Sequence, residues 1–326
     1  MFIGVDHGTR AIRFATSDGQ CLELPRDEAS SLSSEEIIEL VVDALDATSV
    51  DLVALTYSMG DALTGIVRIE DAPNRGLIQQ DGAGLHVGGG TRVFEAIMAS
   101  GWPTILLPGI HSASLVDPRL KVFSHGASPE KVGLAYYVYR RGVKDFIISD
   151  ASSNTVTIGI VGGRIAGAID APIFAPGLLQ GPLDVKAIRD VDSGKMSANE
   201  AFTRGGILYK LGALSLESCE PGVEMLALDA LALFSAMEMG AMCILLRDLG
   251  ARSPELYIAG SPAKRIAGRV SELMGREVHP LGWCCPAEGC AQIAEDVYRG
   301  ETKILGIDVD VRVRNSLELT APKRTR

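Results

Sequence analysis

The stretch Phe2–Phe14, "FIGVDHGTRAIRF", sets two apolar β-type runs on either side of a short polar elbow. Ile3–Asp6 and Arg10–Thr16 have the composition of strands, and Gly8 breaks the pattern between them. Two chemistries fit the elbow Asp6-His7-Gly8-Thr9-Arg10. It serves as a hairpin turn, with Asp6 in an Asx-type role. Or it holds a phosphate: Asp6 carries a hydrated Mg2+, Gly8 admits the phosphate to the backbone, and Thr9 donates its hydroxyl.

Outward from the elbow, Asp18-Gly19 signals a hairpin into a third strand, Cys21–Leu24. Ser33 is placed to cap a helix with Glu35 and Glu36 in its first turn, and Ile37, Ile38, Leu40, Val41, Val42 and Leu45 give that helix a core face. Asp51–Tyr57 reads as a buried strand, so the chain opens β-β-β-α-β. Residues 58–87 are irregular and polar. Gly88-Gly89-Gly90-Thr91 precedes a helix at Val93–Ser100, followed by a strand at Pro103–Leu107 and a helix at Glu130–Arg140.

A second round begins at Val143. Phe146–Ser149 is an apolar strand ending in Asp150, and Gly162-Gly163 joins Thr155–Val161 to Arg164–Asp170 as a hairpin. Short helices are predicted at Leu183–Arg189 and Ala198–Phe202. Gly222–Leu249 is apolar nearly all round and is expected to be buried. A strand at Leu256–Ala259, a helix at Ala263–Met274, a short strand at Glu277–Leu281 and a helix at Pro286–Arg299 complete the pattern. The order strand, acid, hairpin, helix thus occurs twice, which predicts an α/β protein of two related domains, 1–142 and 143–326.

The bulk numbers agree. The 326 residues exceed one ordinary core, and 47% hydrophobic with 22% charged residues is globular composition. A net charge of −10 argues against a nucleic-acid partner. No basic segment precedes the first strand, and Asp229 and Glu238 interrupt the longest apolar run, so neither a leader nor a membrane span is expected and the location is read as cytoplasmic. The six cysteines include no C-x-x-C pair. Cys284, Cys285 and Cys290 read as reduced thiols, with a zinc site completed by His279 as the alternative.

Three elements can carry chemistry, each also readable as an ordinary turn. The first is the opening elbow. The second is Asp150 with Ala151-Ser152-Ser153-Asn154, whose hydroxyls and amide suit phosphate oxygens. The third is Leu256–Lys264, a strand entering a helix through Gly260-Ser261-Pro262, where Ser261 is placed to cap the helix and Gly260 leaves room for a flat ring. Gly88–Thr91 offers a helix N-terminus to an anion or is a plain flexible loop. His111, Arg119 and His125 cluster in sequence; Arg119 suits a carboxylate or phosphate, or is a surface residue. Glu288 reads as a solvated first-turn acid or a water-bridged Mg2+ ligand.

Together these elements resemble the actin-like ATPase superfamily of acetate, butyrate and sugar kinases and heat-shock ATPases. The resemblance implies two ribonuclease-H-like domains with Mg2+ and ATP in the cleft between them. Asp6 and Asp150 would then hold the metal. Gly8, Thr9, Arg10, Ser152, Ser153 and Asn154 would surround the phosphates, and Gly260, Ser261 and Lys264 the adenosine. The loop at Asp150 carries side chains where that superfamily has a glycine cluster. "SHGASPEKVGLAYYVY" (Ser124–Tyr139), "APGLLQGPLDVKAI" (175–188), "AFTRGGILYKLG" (201–212) and "AEGCAQIAEDVYRGE" (287–301) are similar to the butyrate-kinase branch. That likeness implies a small carboxylate substrate, Arg119 and His125 as catalytic residues, and a homodimer. Over nearly its whole length the chain resembles the methanogenesis marker protein 12 family, which implies a methanogen source and leaves room for a protein partner in methanogenesis. Three functions stay open: an ATP-dependent phosphotransferase, a nucleotide-driven assembly or regulatory ATPase, and a nucleotide-binding protein without turnover.

Overall fold

The computed structural model describes residues 1–57, 60–78 and 88–320. Within the irregular stretch 58–87, residues 58, 59 and 79–87 lie outside the described residues. The first sheet contains β1 (Phe2–His7), β2 (Ala11–Thr16), β3 (Cys21–Pro25), β4 (Leu52–Leu55), β5 (Val67–Arg68) and β6 (Thr104–Leu106), in the order β3-β2-β1-β4-β6-β5. It carries the helices α1 (Arg26–Ser31), α2 (Ser34–Leu45) and α3 (Gly90–Ser100). A small ribbon of β7 (Ile110–His111) and β8 (His125–Ala127) leads to α4 (Glu130–Tyr139).

The second sheet contains β9 (Phe146–Ala151), β10 (Thr155–Val161), β11 (Arg164–Ile169), β12 (Glu255–Ala259) and β13 (His279–Pro280), in the order β11-β10-β9-β12-β13. Its helices are α5 (Val185–Asp192), α6 (Ala198–Thr203), α7 (Ile207–Lys210), α8 (Pro221–Asp248) and α9 (Ala263–Met274). The chain then forms α10 (Cys285–Tyr298) and ends the described residues in α11 (Val311–Thr320). Each sheet is an antiparallel three-strand meander whose first strand also pairs in parallel with a later one, β1 with β4 and β9 with β12. The repeat of the sequence is therefore a repeat of topology.

Local chemistry explains several of these elements. Gly162 and Gly163 both have positive φ, 57° and 74°, as a tight hairpin whose twist matches its strands requires. Ser33 accepts from the Glu36 amide while the Glu36 side chain accepts from the Ser33 amide, a reciprocal cap that starts α2.

β1 and β9 each end one residue past the acid, at His7 and Ala151, so Asp6 and Asp150 stand at strand ends as the sequence indicates. Three expectations change. The helix α10 follows the second sheet in sequence but packs on α4, β1, β2 and β4. In α8, Ala227, Leu231, Met239, Met242 and Leu246 are buried against the second sheet and α9, with Gly159 leaving room for Met242 and Leu246. Its other side exposes Met225, Leu226, Leu233, Met237 and Ile244, so an all-round apolar sequence did not bury all round. Finally, Cys284 is not a free thiol: it forms a disulfide with Cys21 of β3, beside Glu288. Cys285 and Cys290 are buried separately, and among the described residues His279 does not join any metal-ligand cluster.

Glu238 of α8 is fully buried near Thr157 and Ala175, and neither carboxyl oxygen has a hydrogen-bond partner among the described residues. Burial pushes its pKa up to about 8, so the folded protein holds it protonated at neutral pH. A raised carboxyl pKa means that its stability contribution is complete below the ordinary value near 4.5 and declines as pH rises toward 8. Glu238→Gln should therefore flatten the fall in thermal midpoint between pH 5 and pH 8, measured by calorimetry against the unsubstituted protein.

The disulfide joins residues 263 positions apart. Such a closure restricts the unfolded chain by about 2–4 kcal/mol. Dithiothreitol, or Cys21→Ser, should lower the unfolding midpoint by several degrees, and dithiothreitol should have no further effect on Cys21→Ser.

Candidate functional site

A cleft of about 980 Å3 opens between the two sheets. From the first sheet it is lined by Asp6, His7, Gly8, Thr9, Arg10 and Arg13, and from the second by Asp150, Ser152, Ser153, Asn154, Gly260 and Ser261. The three sequence elements thus meet in one cavity, at the upper end of the usual range for small-molecule sites.

Asp6 is 2% exposed at the end of β1. The register of β1 on β2 sets Asp6 opposite Arg13, and Asp6 Oδ2 lies 3.3 Å from Arg13 Nη1. Its Oδ1 has no partner among the described residues. Burial, only partly offset by Arg13, raises the Asp6 pKa to about 6. Asp150 repeats the arrangement at the end of β9. Its Oδ2 lies 2.7 Å from Lys131 Nζ, and its Oδ1 has no partner among the described residues. Lys131 sits in the first turn of α4, is 5% exposed, and also contacts Glu130 Oε1 at 3.1 Å. Burial opposes its charge, but Asp150 and Glu130 overcome that and raise its pKa well above the ordinary lysine value, so it remains an ammonium.

The loop after Asp150 owes its shape to a distant segment. Leu178 donates its amide to Ser152 O, while Leu179 and Gln180 donate theirs to Ser153 O. A Cβ on Gly177 would fall 2.3 Å from the Asn154 backbone. The glycine that the loop lacks in its own sequence is supplied from beneath it. Gly260 has φ +101°, and a Cβ there would come within 2.3 Å of Ala151 O and 3.0 Å of Asp150 Oδ1. The absence of a side chain there lets the Asp150 strand pass close by.

The Gly88–Thr91 segment also reaches the cleft. Arg26 donates Nε to Gly8 O at 2.8 Å and Nη1 to Gly88 O at 2.9 Å, tying the elbow to the start of α3. His7 Nε2 lies 3.3 Å from Gly90 O, and burial followed by the Arg26 charge lowers the His7 pKa to about 3, so its ring is neutral.

The remaining sequence candidates lie elsewhere. Arg119 is exposed and paired with Asp117 and Asp248 on the surface, at 2.8 and 2.6 Å, away from the cleft lining. A tight surface chelate explains it without a ligand. Lys264 is exposed on α9 outside the lining. Ser261 lines the cleft but does not cap α9, whose N-cap is Pro262. His125 stands behind the wall: its Nδ1 is 2.8 Å from Oδ2 of Asp170, which does line the cleft. Burial works against its charge, but the Asp170 hydrogen bond and charge leave its pKa raised. His111 is buried with Nε2 2.8 Å from Leu63 O, a structural role. Glu288 neighbours the disulfide.

Lys131, Arg13, Arg26 and Gly177 were not singled out from the sequence. Arg13 was recoverable from hairpin register, since alternate residues of paired strands share a face. The others meet the site only through tertiary packing.

The architecture has known counterparts. A propionate kinase from Francisella tularensis superposes with a TM-score of 0.53 at 10% identity, covering 90% of this chain and 98% of that one. An acetate kinase from Entamoeba histolytica gives 0.52 at 10% identity, covering 84% and 86%. The fold is that of the actin-like ATPases. No protein-family model matches the chain. Among proteins similar in sequence, one from Methanosarcina mazei is 48% identical over 322 residues, covering 95% of this chain and 99% of that protein, and one from Methanocaldococcus jannaschii is 38% identical with the same coverage. Both are described as UPF0285 proteins, and identity of that extent over nearly the full length of each makes this chain a member of the UPF0285 family.

Proposed function

We propose that the cleft binds a nucleoside triphosphate with Mg2+ and acts as a phosphotransferase or ATPase. The observation that carries this reading is the pair of strand-end acids. Asp6 and Asp150, at equivalent places in two related sheets, face one cleft, and each keeps one buried carboxylate oxygen without a partner among the described residues. Buried carboxylate oxygens left unpaired are costly unless a ligand completes them. Mg2+ suits such a pair, because it binds through one or two carboxylates plus phosphates and retains water. Bound there, it would neutralise the phosphate oxygens.

The chain's own residues supply the rest. The Gly8–Arg10 turn and the Ser152–Asn154 loop border the phosphate end, with Thr9, Ser152 and Ser153 hydroxyls as donors and Arg10 as a counter-charge. Gly260 and Ser261 border the base end. The domains 1–142 and 143–326 form the two walls, with α10 returning to the first. Asp170 faces the acceptor side of the cleft, and His125, behind it, fixes the Asp170 carboxylate and acts only through it; Arg119 has no part in it. A small carboxylate is the acceptor class we infer, and the setting is cytoplasmic, in a methanogen, under the marker protein 12 assignment.

A second reading, a nucleotide-driven protein that assembles or regulates another methanogen enzyme, is favoured by one observation. The exposed Met225, Leu226, Leu233, Met237 and Ile244 give α8 an apolar face suited to a protein partner or a second copy.

Calorimetric titration with ATP and Mg2+ tests the site. Asp6→Asn and Asp150→Asn should each weaken the Mg2+-dependent part of binding at least tenfold; equal binding by both variants would overturn the assignment. ADP release should rise with an added short-chain acid if the acceptor is a carboxylate. Release that is slow and indifferent to acids would favour the second reading.

A further inference from the structure

The two strand-end acids differ in what neutralises them. Asp6 is paired with Arg13 from the neighbouring strand, at 3.3 Å, and Arg13 is also held by Glu23 at 2.8 Å. Asp150 is paired with Lys131, at 2.7 Å, from the first turn of α4. Lys131 lines the cleft, its side chain is 7% exposed, and its second carboxylate contact is Glu130. A guanidinium fixed by two carboxylates is a rigid partner. An ammonium on a four-carbon stem is a point charge that can turn to another anion.

The ammonium and a divalent cation compete for the same carboxylate. A metal at Asp150 would sit within a few ångströms of Lys131 Nζ, where like charges repel through a partly dry cleft. Asp150 Oδ1 is buried and has no hydrogen-bond partner among the described residues, while Oδ2 is occupied by the ammonium. We propose that Lys131 is a built-in counter-ion for the metal-free cleft: a divalent cation displaces its ammonium from Asp150, and the freed ammonium turns to the terminal phosphate of the bound nucleotide. This rests on the Mg2+-nucleotide reading of the cleft. It makes Lys131 a residue that weakens metal binding on its own and strengthens phosphate binding.

The two effects have opposite signs, which a purely structural role would not produce. Mn2+ binding without nucleotide, followed by electron paramagnetic resonance, should tighten at least tenfold in Lys131→Met. Inorganic tripolyphosphate binding in excess chelator, followed by calorimetry, should weaken at least tenfold in the same variant. Lys131→Arg should retain the tripolyphosphate binding. Because Lys131→Met leaves the acids Glu130 and Asp150 without their shared cation, the charge-conserving double variant Glu130→Gln/Lys131→Met is measured beside it, and the same tightening of Mn2+ is expected. Mn2+ affinity unchanged or weaker in the folded variants overturns the proposal, provided that Asp150→Asn weakens Mn2+ binding. If Asp150→Asn leaves Mn2+ binding unchanged, the metal assignment itself fails and the proposal falls with it.

Discussion

The structure depends on one close approach, that of α10 to the two elements beneath it. A Cβ on Gly4 of β1 would fall 2.0 Å from Ala287 O and 2.3 Å from Ala291 N. A Cβ on Gly133 of α4 would lie 2.6 Å from Pro286 O, and one on Gly289 of α10 would lie 1.9 Å from Gly133 O. Backbone meets backbone on both sides of the helix, at distances that any side chain forbids. The glycines here are needed for proximity, since none of the three has a positive φ. This contact brings a helix from the end of the chain onto its first strand and seats α4 at a fixed height. The first turn of α4 then places Glu130 and Lys131 in the cleft lining, three and two residues before the crossing.

The cost of such a lining is electrostatic. Asp6, Asp150, Glu130 and Lys131 gather where little water reaches, and burial alone would neutralise acids there. Asp6 shows this in its pKa of about 6. The protein offsets the cost by giving each strand-end acid one internal cation, while one oxygen of each has no partner among the described residues. A buried pair of this kind is a weak source of stability. Its persistence at the meeting of two walls is better explained by what can bind there than by what it holds together.

Much of this was legible in the sequence, for identifiable reasons. Hairpin signals such as Gly162-Gly163 and caps such as Ser33 with Glu36 are local, and local chemistry fixed those elements. The elbow, the Asp150 loop and the Gly260 turn were recognisable because each joins a strand to a polar turn, and topology carries strand ends of both sheets to one cleft. What was not legible depends on contacts between distant residues. Gly177 lies under Asn154, Arg26 bridges Gly8 and Gly88, and Cys21 meets Cys284 across most of the chain. Arg119 misled because proximity in sequence to His111 and His125 is not proximity in space: a turn at Asp117 directs it to the surface. The α8 sequence misled because its composition is apolar on every side while the sheet covers only one.

The repeat explains why the two halves of the site are not equivalent. In the first half the counter-ion of the acid comes from the paired strand, so the Asp6–Arg13 contact is as fixed as the hairpin register that creates it. In the second half the corresponding strand, β10, sets Val156 opposite Asp150 and offers no cation. The charge is supplied instead by α4, an element of the first half that packs on α10 through Gly133 and Gly289. The Asp150–Lys131 contact therefore spans the two halves, whereas Asp6–Arg13 lies within one. Any change in how the sheets sit about the α4–α10 crossing alters the first contact and leaves the second intact. The first acid is neutralised from within its own half of the site and the second from across it, by a single lysine of α4.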